Sequence, residues 1–228
     1  MTLRLHSIEA CVFDAYGTLF DVSSAARIAQ DSLGEKWQLL AELWRAKQLQ
    51  YTWLRSLTGR HVDFWQVTGD TLDFALSTLR LDDPALRTRL MNLYMTLGAY
   101  PEVLDTLKRL KAAGLKLAIL SNGSPDMLAA AAANAGIADL LDATLSVEQV
   151  KIYKPHPSVY ALVCESLNVP ATRVVFVSSN GWDAYSAKAF GFHTLWCNRF
   201  HQAPERIPDT PDAQIATLAE LPDIISGT

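Results

Sequence analysis

The feature that most limits how this chain folds is a rhythm of short apolar runs, each broken at its end by polar residues or glycine. The runs cover residues 8–13, 115–120, 144–147, 174–177 and 194–197. Patterns with helical spacing fill the gaps between the later ones, at 101–113, 125–135, 157–167 and 182–190. Pro101 suits a first helical turn and Gly114 a helix stop. Strands that alternate with helices form a parallel sheet covered on both faces. The expected fold class is therefore α/β, with a doubly wound, Rossmann-like parallel-sheet core, and ligands bind such sheets beyond the carboxyl ends of the strands.

The rhythm stops between residues 21 and 98. That stretch has no strand signal and reads as consecutive amphipathic helices, notably 36–57 and 64–79. Because it follows the first strand directly, it reads as an inserted helical cap. The expected domains are a core of residues 1–20 and 99–228 and a cap of residues 21–98. Trp37, Trp44, Trp53 and Trp65 all fall in the cap, where packing is the plain reading of an aromatic-rich helical segment. Residues 202–211, rich in proline, read as a surface connection before a short last helix.

Composition narrows the partners. The chain is 50% apolar and 19% charged, enough to bury a core, and its formal charge of −4 leaves no electrostatic footprint for nucleic acid. An anionic substrate is still allowed, because a site can be locally positive on an acidic protein. No segment approaches membrane-spanning length, and residues 1–5 lack the apolar stretch of a signal peptide. The expectation is a cytoplasmic protein with neither nucleic-acid nor membrane partners. Cys11, Cys164 and Cys197 show no C-x-x-C spacing and read as buried reduced thiols.

Four polar clusters fall at or just beyond strand ends, where a doubly wound sheet gathers its site. They are Asp14-Ala15-Tyr16-Gly17-Thr18, Ser121-Asn122-Gly123, Lys154-Pro155, and Ser178-Ser179-Asn180-Gly181-Trp182-Asp183. An aspartate after a strand is often only a turn residue or helix cap. The four together, in this order, resemble the motifs of the haloacid dehalogenase superfamily over nearly the whole chain. Most of that superfamily are magnesium-dependent phosphotransferases, and the chain differs from them at two places. Where they carry a second acid, two residues after the nucleophile, to protonate a basic leaving alkoxide, this chain has Tyr16. Where they carry paired acids for magnesium, it has Ser178, Ser179 and Asn180, with Asp183 as the remaining acid. A departing halide is a very weak base and needs no proton. The pattern resembles the L-2-haloacid dehalogenase branch, which implies hydrolysis of short 2-haloalkanoic acids without metal or other cofactor.

That resemblance implies a role for each matching position. Asp14 would attack the halogen-bearing carbon and form an ester, oriented by Thr18 and Lys154. Ser121 and the backbone amides from Ala15 onward would hold the substrate carboxylate. Arg45 and Asn122 would receive the halide ion. Asp183, with Asn180, Lys154 and Ser178, would activate the hydrolytic water, supported by Tyr160. Tyr16, Leu49, Phe64 and Trp182 would wall in the alkyl group, although Leu49 and Phe64 read as readily as plain core. Arg45 lies in Trp44-Arg-x-Lys-Gln-Leu49, on one stripe with Leu49 and Trp53, and without the resemblance it also reads as a snorkelling side chain. Ala46 stands where related sequences carry a larger polar residue, a change expected to reshape the halide side of the pocket. His156 and His193 read as structural, and no nucleophile elbow with a histidine base is present. A magnesium phosphatase would need an acid at position 16, and a silent binding relative would be expected to lack Asp14 or Lys154. The family resemblance further implies a homodimer.

Overall fold

A computed structural model describes residues 4–22, 24–28, 30–81 and 83–225. Residues 1–3 and 226–228 of the expected core and residues 23, 29 and 82 of the expected cap lie outside the described residues. Six strands form one parallel sheet in the order β3-β2-β1-β4-β5-β6. They are β1 (Ala10–Phe13), β2 (Lys116–Ser121), β3 (Ala143–Ser146), β4 (Val174–Ser178), β5 (His193–Cys197) and β6 (Ala213–Ile215). β1 and β4 are buried at every position because helices cover both faces of the sheet, which explains their unbroken apolar runs.

The order reverses between β1 and β4, the switch point at which such sheets bind ligands. Register then sets the site. Phe13 is opposite both Ile119 and Val177, so the residues that follow, Asp14, Ser121 and Ser178, emerge together at the strand ends. The Asp14 amide continues the ladder by donating to the Val177 carbonyl at 2.9 Å.

The helices are α1 (Ser24–Ile28), α2 (Gln30–Leu33), α3 (Trp37–Thr58), α4 (Phe64–Leu79), α5 (Pro84–Met95), α6 (Val103–Ala112), α7 (Pro125–Asn134), α8 (Pro157–Leu167), α9 (Gly181–Phe190) and α10 (Leu221–Ile224). The first five lie between β1 and β2 with no named strand among the described residues there. α3 and α4 pack on each other through a polar seam. Trp44 donates its indole N–H to the Thr68 carbonyl, and the buried Gln48 amide donates to Thr68 Oγ1. Of the other cap tryptophans, Trp37 and Trp65 are half-buried and Trp53 is 36% exposed.

Three expectations need correction. α6 begins at Val103, so Pro101 lies in the preceding turn, where the Val103 amide donates to the Tyr100 carbonyl. α1, α2 and α5 were anticipated only as part of the helical stretch, without bounds, and β6 was not anticipated, being too short or too weakly amphipathic for periodicity to reveal. Cys164 is half-buried, whereas Cys11 and Cys197 are buried; all three are free thiols. Gly114, at φ +85°, does follow the end of α6, where a left-handed conformation suits glycine. No helix among the described residues is long and apolar enough to cross a membrane.

α4 starts sharply because the Asp63 carboxylate accepts a hydrogen bond from the Gln66 amide at 2.8 Å. Asp63→Ala should lower unfolding free energy by about 1 kcal/mol. Urea titration should show a lower midpoint with an unchanged slope.

Candidate active site

The nucleophile position is built from four elements at once. Asp14, directly after β1, is 6% exposed. Its Oδ2 accepts from Asn180 Nδ2 at 2.7 Å, Thr18 Oγ1 at 3.2 Å and Ser178 Oγ at 3.4 Å. Its Oδ1 accepts from Lys154 Nζ at 3.1 Å. Thr18 reaches back because the chain turns tightly after Asp14: the Ala15 carbonyl accepts from the amides of Leu19 and Phe20, and Gly17 supplies φ +91°. The Thr18 hydroxyl accepts in turn from the Ser179 amide at 2.8 Å, tying the β1 and β4 turns together.

Lys154 links this carboxylate to a second. Its Nζ also donates to Asp183 Oδ2 at 2.7 Å, and Tyr160 donates its hydroxyl to Asp183 Oδ1 at 2.7 Å. Lys154 is 1% exposed, while Asp183 and Tyr160 are fully buried. Burial alone would lower the lysine, but the adjoining Asp14 and Asp183 charges outweigh it and hold the ammonium above its ordinary range. Burial pushes the Asp183 carboxyl above its usual 3.8, and the Asp14 charge pushes the same way against Lys154 and Tyr160. Burial also raises the Tyr160 and Tyr16 phenols, so both remain protonated near neutrality.

The helical stretch between β1 and β2 contributes Arg45, half-buried on α3. Its Nη2 lies 3.2 Å from Asn180 Oδ1 and 3.4 Å from the Tyr16 carbonyl. Asn180 therefore joins this guanidinium to the Asp14 carboxylate. A cavity of about 480 Å³ lies against Arg45, lined also by Trp37, Ala41, Gln48 and Phe200. Ala46 is exposed and does not line this cavity.

The remaining expected residues lie around this centre. The buried Ser121 hydroxyl accepts from the Gly123 amide, and Asn122 Oδ1 accepts from the Lys154 amide at 3.0 Å. Ala15 is buried, and the Tyr16 ring stacks on Phe64 at 5.8 Å. A Cβ at position 123 would sit 2.8 Å from the Tyr16 ring, so glycine is required for that approach. Leu49 is half-buried one turn beyond Arg45. Trp182 meets Trp53 edge to face at 5.5 Å. The Tyr16 hydroxyl and Trp182 Nε1 are buried with no hydrogen-bond partner among the described residues. Such donors cost free energy unless a ligand supplies an acceptor. His156 caps α8, accepting from the Ser158 amide, and His193 Nδ1 stands 3.9 Å from Asp212.

A family model of haloacid dehalogenase-like hydrolases matches residues 8–191. The chain belongs to that family. It is 46% identical to (S)-2-haloacid dehalogenase 4A of Burkholderia cepacia, over 94% of each chain. It is 45% identical to (S)-2-haloacid dehalogenase 1 of Pseudomonas sp. strain CBS-3, over 96% of each. Among solved structures it resembles L-2-haloacid dehalogenase from Xanthobacter autotrophicus with chloropropionic acid covalently bound. That likeness has a TM-score of 0.89 and 41% identity, covering 95% of this chain and 97% of the other. Within the haloacid dehalogenase-like hydrolases, these likenesses place the chain in the L-2-haloacid dehalogenase branch.

The donor set of this haloacid dehalogenase-like hydrolase does not suit magnesium. An ammonium lies between its two carboxylates, and Ser178, Ser179 and Asn180 stand where paired acids would be needed. Among the described residues no group of three or more His, Cys, Asp or Glu is arranged to hold a metal ion. Two neighbours of the site escaped sequence reasoning. Gln48 lies 3.5 Å from Arg45, and Tyr94 donates to Gln48 and packs on Tyr16 at 5.5 Å. Gln48 stood in the quoted α3 motif, three residues after Arg45, where a polar residue shares the helix face. Tyr94 lies on α5, which was anticipated only as part of the helical stretch.

The hydrogen bond from Tyr160 lowers the Asp183 carboxyl, so its loss should raise it further. Activity that needs ionised Asp183 should fall as pH drops through a value above 3.8. In Tyr160→Phe the acid limb of kcat should move to higher pH; a limb that stays in place would separate Tyr160 from that ionisation.

Proposed function

We propose that the chain is an (S)-2-haloacid dehalogenase that hydrolyses short L-2-haloalkanoic acids to (R)-2-hydroxy acids through an aspartyl ester. The observation that carries this reading is the pair Asp14 and Asp183 bridged by one buried ammonium, with a phenol where a phosphatase needs an acid. Asp14 Oδ2 is occupied by three donors and is thereby oriented. Oδ1 accepts from Lys154 and keeps a lone pair for attack on carbon 2. Arg45, with Asn122, receives the halide as its charge develops, and Ser121 with the Ala15 and Tyr16 amides holds the substrate carboxylate. The unpartnered Tyr16 and Trp182 donors suit an anionic ligand, while Leu49 and Phe64 wall in its alkyl group.

Ester formation changes the electrostatics in a useful direction. The Asp14 charge raises the Asp183 carboxyl, and esterification removes that charge. Lys154 then serves Asp183 alone, which favours the ionised base at the step that needs it. Water activated by Asp183 attacks the ester carbonyl, so carbon 2 is inverted once. Ser178 and Asn180 act here through Asp14, since both donate to its Oδ2.

The same reading divides the chain into a catalytic core of residues 1–20 and 99–228 and a cap of residues 21–98. The cap closes a small site over the sheet. A homodimer and a cytoplasmic location complete it; three free thiols suit a reducing compartment.

The test uses enzyme in excess over (S)-2-chloropropionate in oxygen-18 water. The first-turnover hydroxy acid should be largely unlabelled, and the peptide holding Asp14 should gain label. Labelled product with unlabelled enzyme would mean direct attack by water and would remove Asp14 as nucleophile. Arg45→Ala should cost about 2–4 kcal/mol in transition-state stabilisation, as loss of a charge-stabilising donor does. A near-normal kcat/KM in that variant would return Arg45 to a packing role.

A further inference from the structure

The chain leaves the sheet at the end of β1 and re-enters it at β2, and between them one segment, around Thr18 to Asp21, leads into the helices α1–α5 and another, around Gly98 to Glu102, returns from them. The two connecting segments are joined by backbone hydrogen bonds, Asp21 N to the Gly98 carbonyl and Tyr100 N to the Leu19 carbonyl, each 3.0 Å. One side chain from a distant part of the sequence touches both. Arg199, just beyond β5, donates from Nη2 to the Thr18 carbonyl at 3.0 Å. Its Nη1 pairs with Glu102 Oε1 at 2.5 Å, and its guanidinium carbon lies 4.0 Å from the centre of the Tyr100 ring. The Arg199 side chain is 10% exposed, so these contacts are poorly screened by water.

The turn that presents Arg199 is itself fixed. The buried Asn198 accepts from the Gln202 amide through Oδ1 and donates to the Gln202 carbonyl through Nδ2. On its other side Thr18 holds Asp14 through its hydroxyl, as described above. A continuous chain of contacts therefore runs from the Asn198 turn, through Arg199 and the Thr18 carbonyl, to the nucleophile carboxylate. The geometry also explains the residue type. A planar guanidinium can donate along two edges while its face covers an aromatic ring; an ammonium on a flexible stem cannot do all three.

We propose that Arg199 is a positioning residue for the dehalogenation reaction, clamping both cap connections and fixing Thr18 so that the Asp14 carboxylate is held for attack. This rests on the functional reading above. Arg199 touches no substrate: it acts on rate through Thr18 and on cap placement through Tyr100 and Glu102.

The experiment compares full-length wild type with Arg199→Met, Arg199→Lys and, as a control, Arg87→Met, which removes an exposed ion pair with Asp73. Chloride release from (S)-2-chloropropionate is measured well below each variant's Tm, and hydrogen exchange is followed in peptides spanning 14–21 and 98–102. Arg199→Met should lose on the order of ten- to a hundredfold in kcat with KM changed by less than about threefold, because misplacing a reacting group slows chemistry more than binding. Arg199→Lys should recover part of that loss, and both peptides should exchange faster in Arg199→Met than in wild type or Arg87→Met. Unchanged kcat per folded molecule, or unchanged exchange in the 14–21 peptide, overturns the assignment. Should Arg199→Met not fold, Arg199→Lys carries both readouts, and a wild-type rate and exchange pattern there overturns it equally. A wild type that releases no chloride would reject the functional reading instead, and the exchange measurement would still decide the clamp.

Discussion

The Lys154 ammonium lies between two carboxylates that are themselves almost wholly removed from water, with side chains 1% exposed for the lysine, 9% for Asp14 and none for Asp183. Taking three charges out of water costs several kcal/mol per ion unless each is paired and its remaining lone pairs are satisfied. Here they are satisfied by neutral donors: Thr18, Ser178 and Asn180 on Asp14, and Tyr160 on Asp183. The cluster is therefore an all-or-none unit. Removing the lysine would leave two like charges facing each other in a low-dielectric site, and removing one carboxylate would leave the lysine attached to the other.

Such a cluster demands a scaffold that brings distant segments to one point, and the parallel sheet does so through register. β1 is paired on both sides, with Phe13 opposite Ile119 and Val177, so a shift of one residue in either neighbour would displace Ser121 or Ser178 from Asp14. Apolar burial on both faces fixes that register. The core thus contributes to chemistry less through contact with substrate than by forbidding the alternatives.

Those parts that repeat or alternate were legible in the sequence. The five longer strands were marked by apolar runs, and α8 was anticipated with both its ends, because Pro157 opens it and the apolar spacing stops at Leu167. Asp14, Ser121, Lys154 and Asp183 were visible because each follows such a run or stands in the loop beyond it. What stayed hidden has a physical reason in each case. β6 is three residues long and is held mainly by pairing with β5, which leaves no pattern of its own. α5 carries a weak apolar stripe, although Asp83-Pro84 was a helix-start signal that could have been read: the Asp83 carboxylate accepts from the Ala85 amide. Asn180 was expected to serve the hydrolytic water. Its contacts with Asp14 and Arg45 depend on the direction of an amide side chain, which no spacing encodes.

The helices between β1 and β2 touch the site at a second place besides Arg45, on the loop that carries Lys154. Tyr153 immediately precedes Lys154, and its amide donates to Ser56 Oγ at the end of α3, while its hydroxyl donates to the Val62 carbonyl between α3 and α4. On the core side the Lys154 amide is held by Asn122. The loop carrying the lysine is thus pinned from both directions, and its placement draws on α3 and the segment after it as well as on the core. Arg45 stands on the same α3. One helix thus supplies both the guanidinium that reaches Asn180 and an anchor for the loop carrying Lys154, so the charges of the site are assembled by the same element.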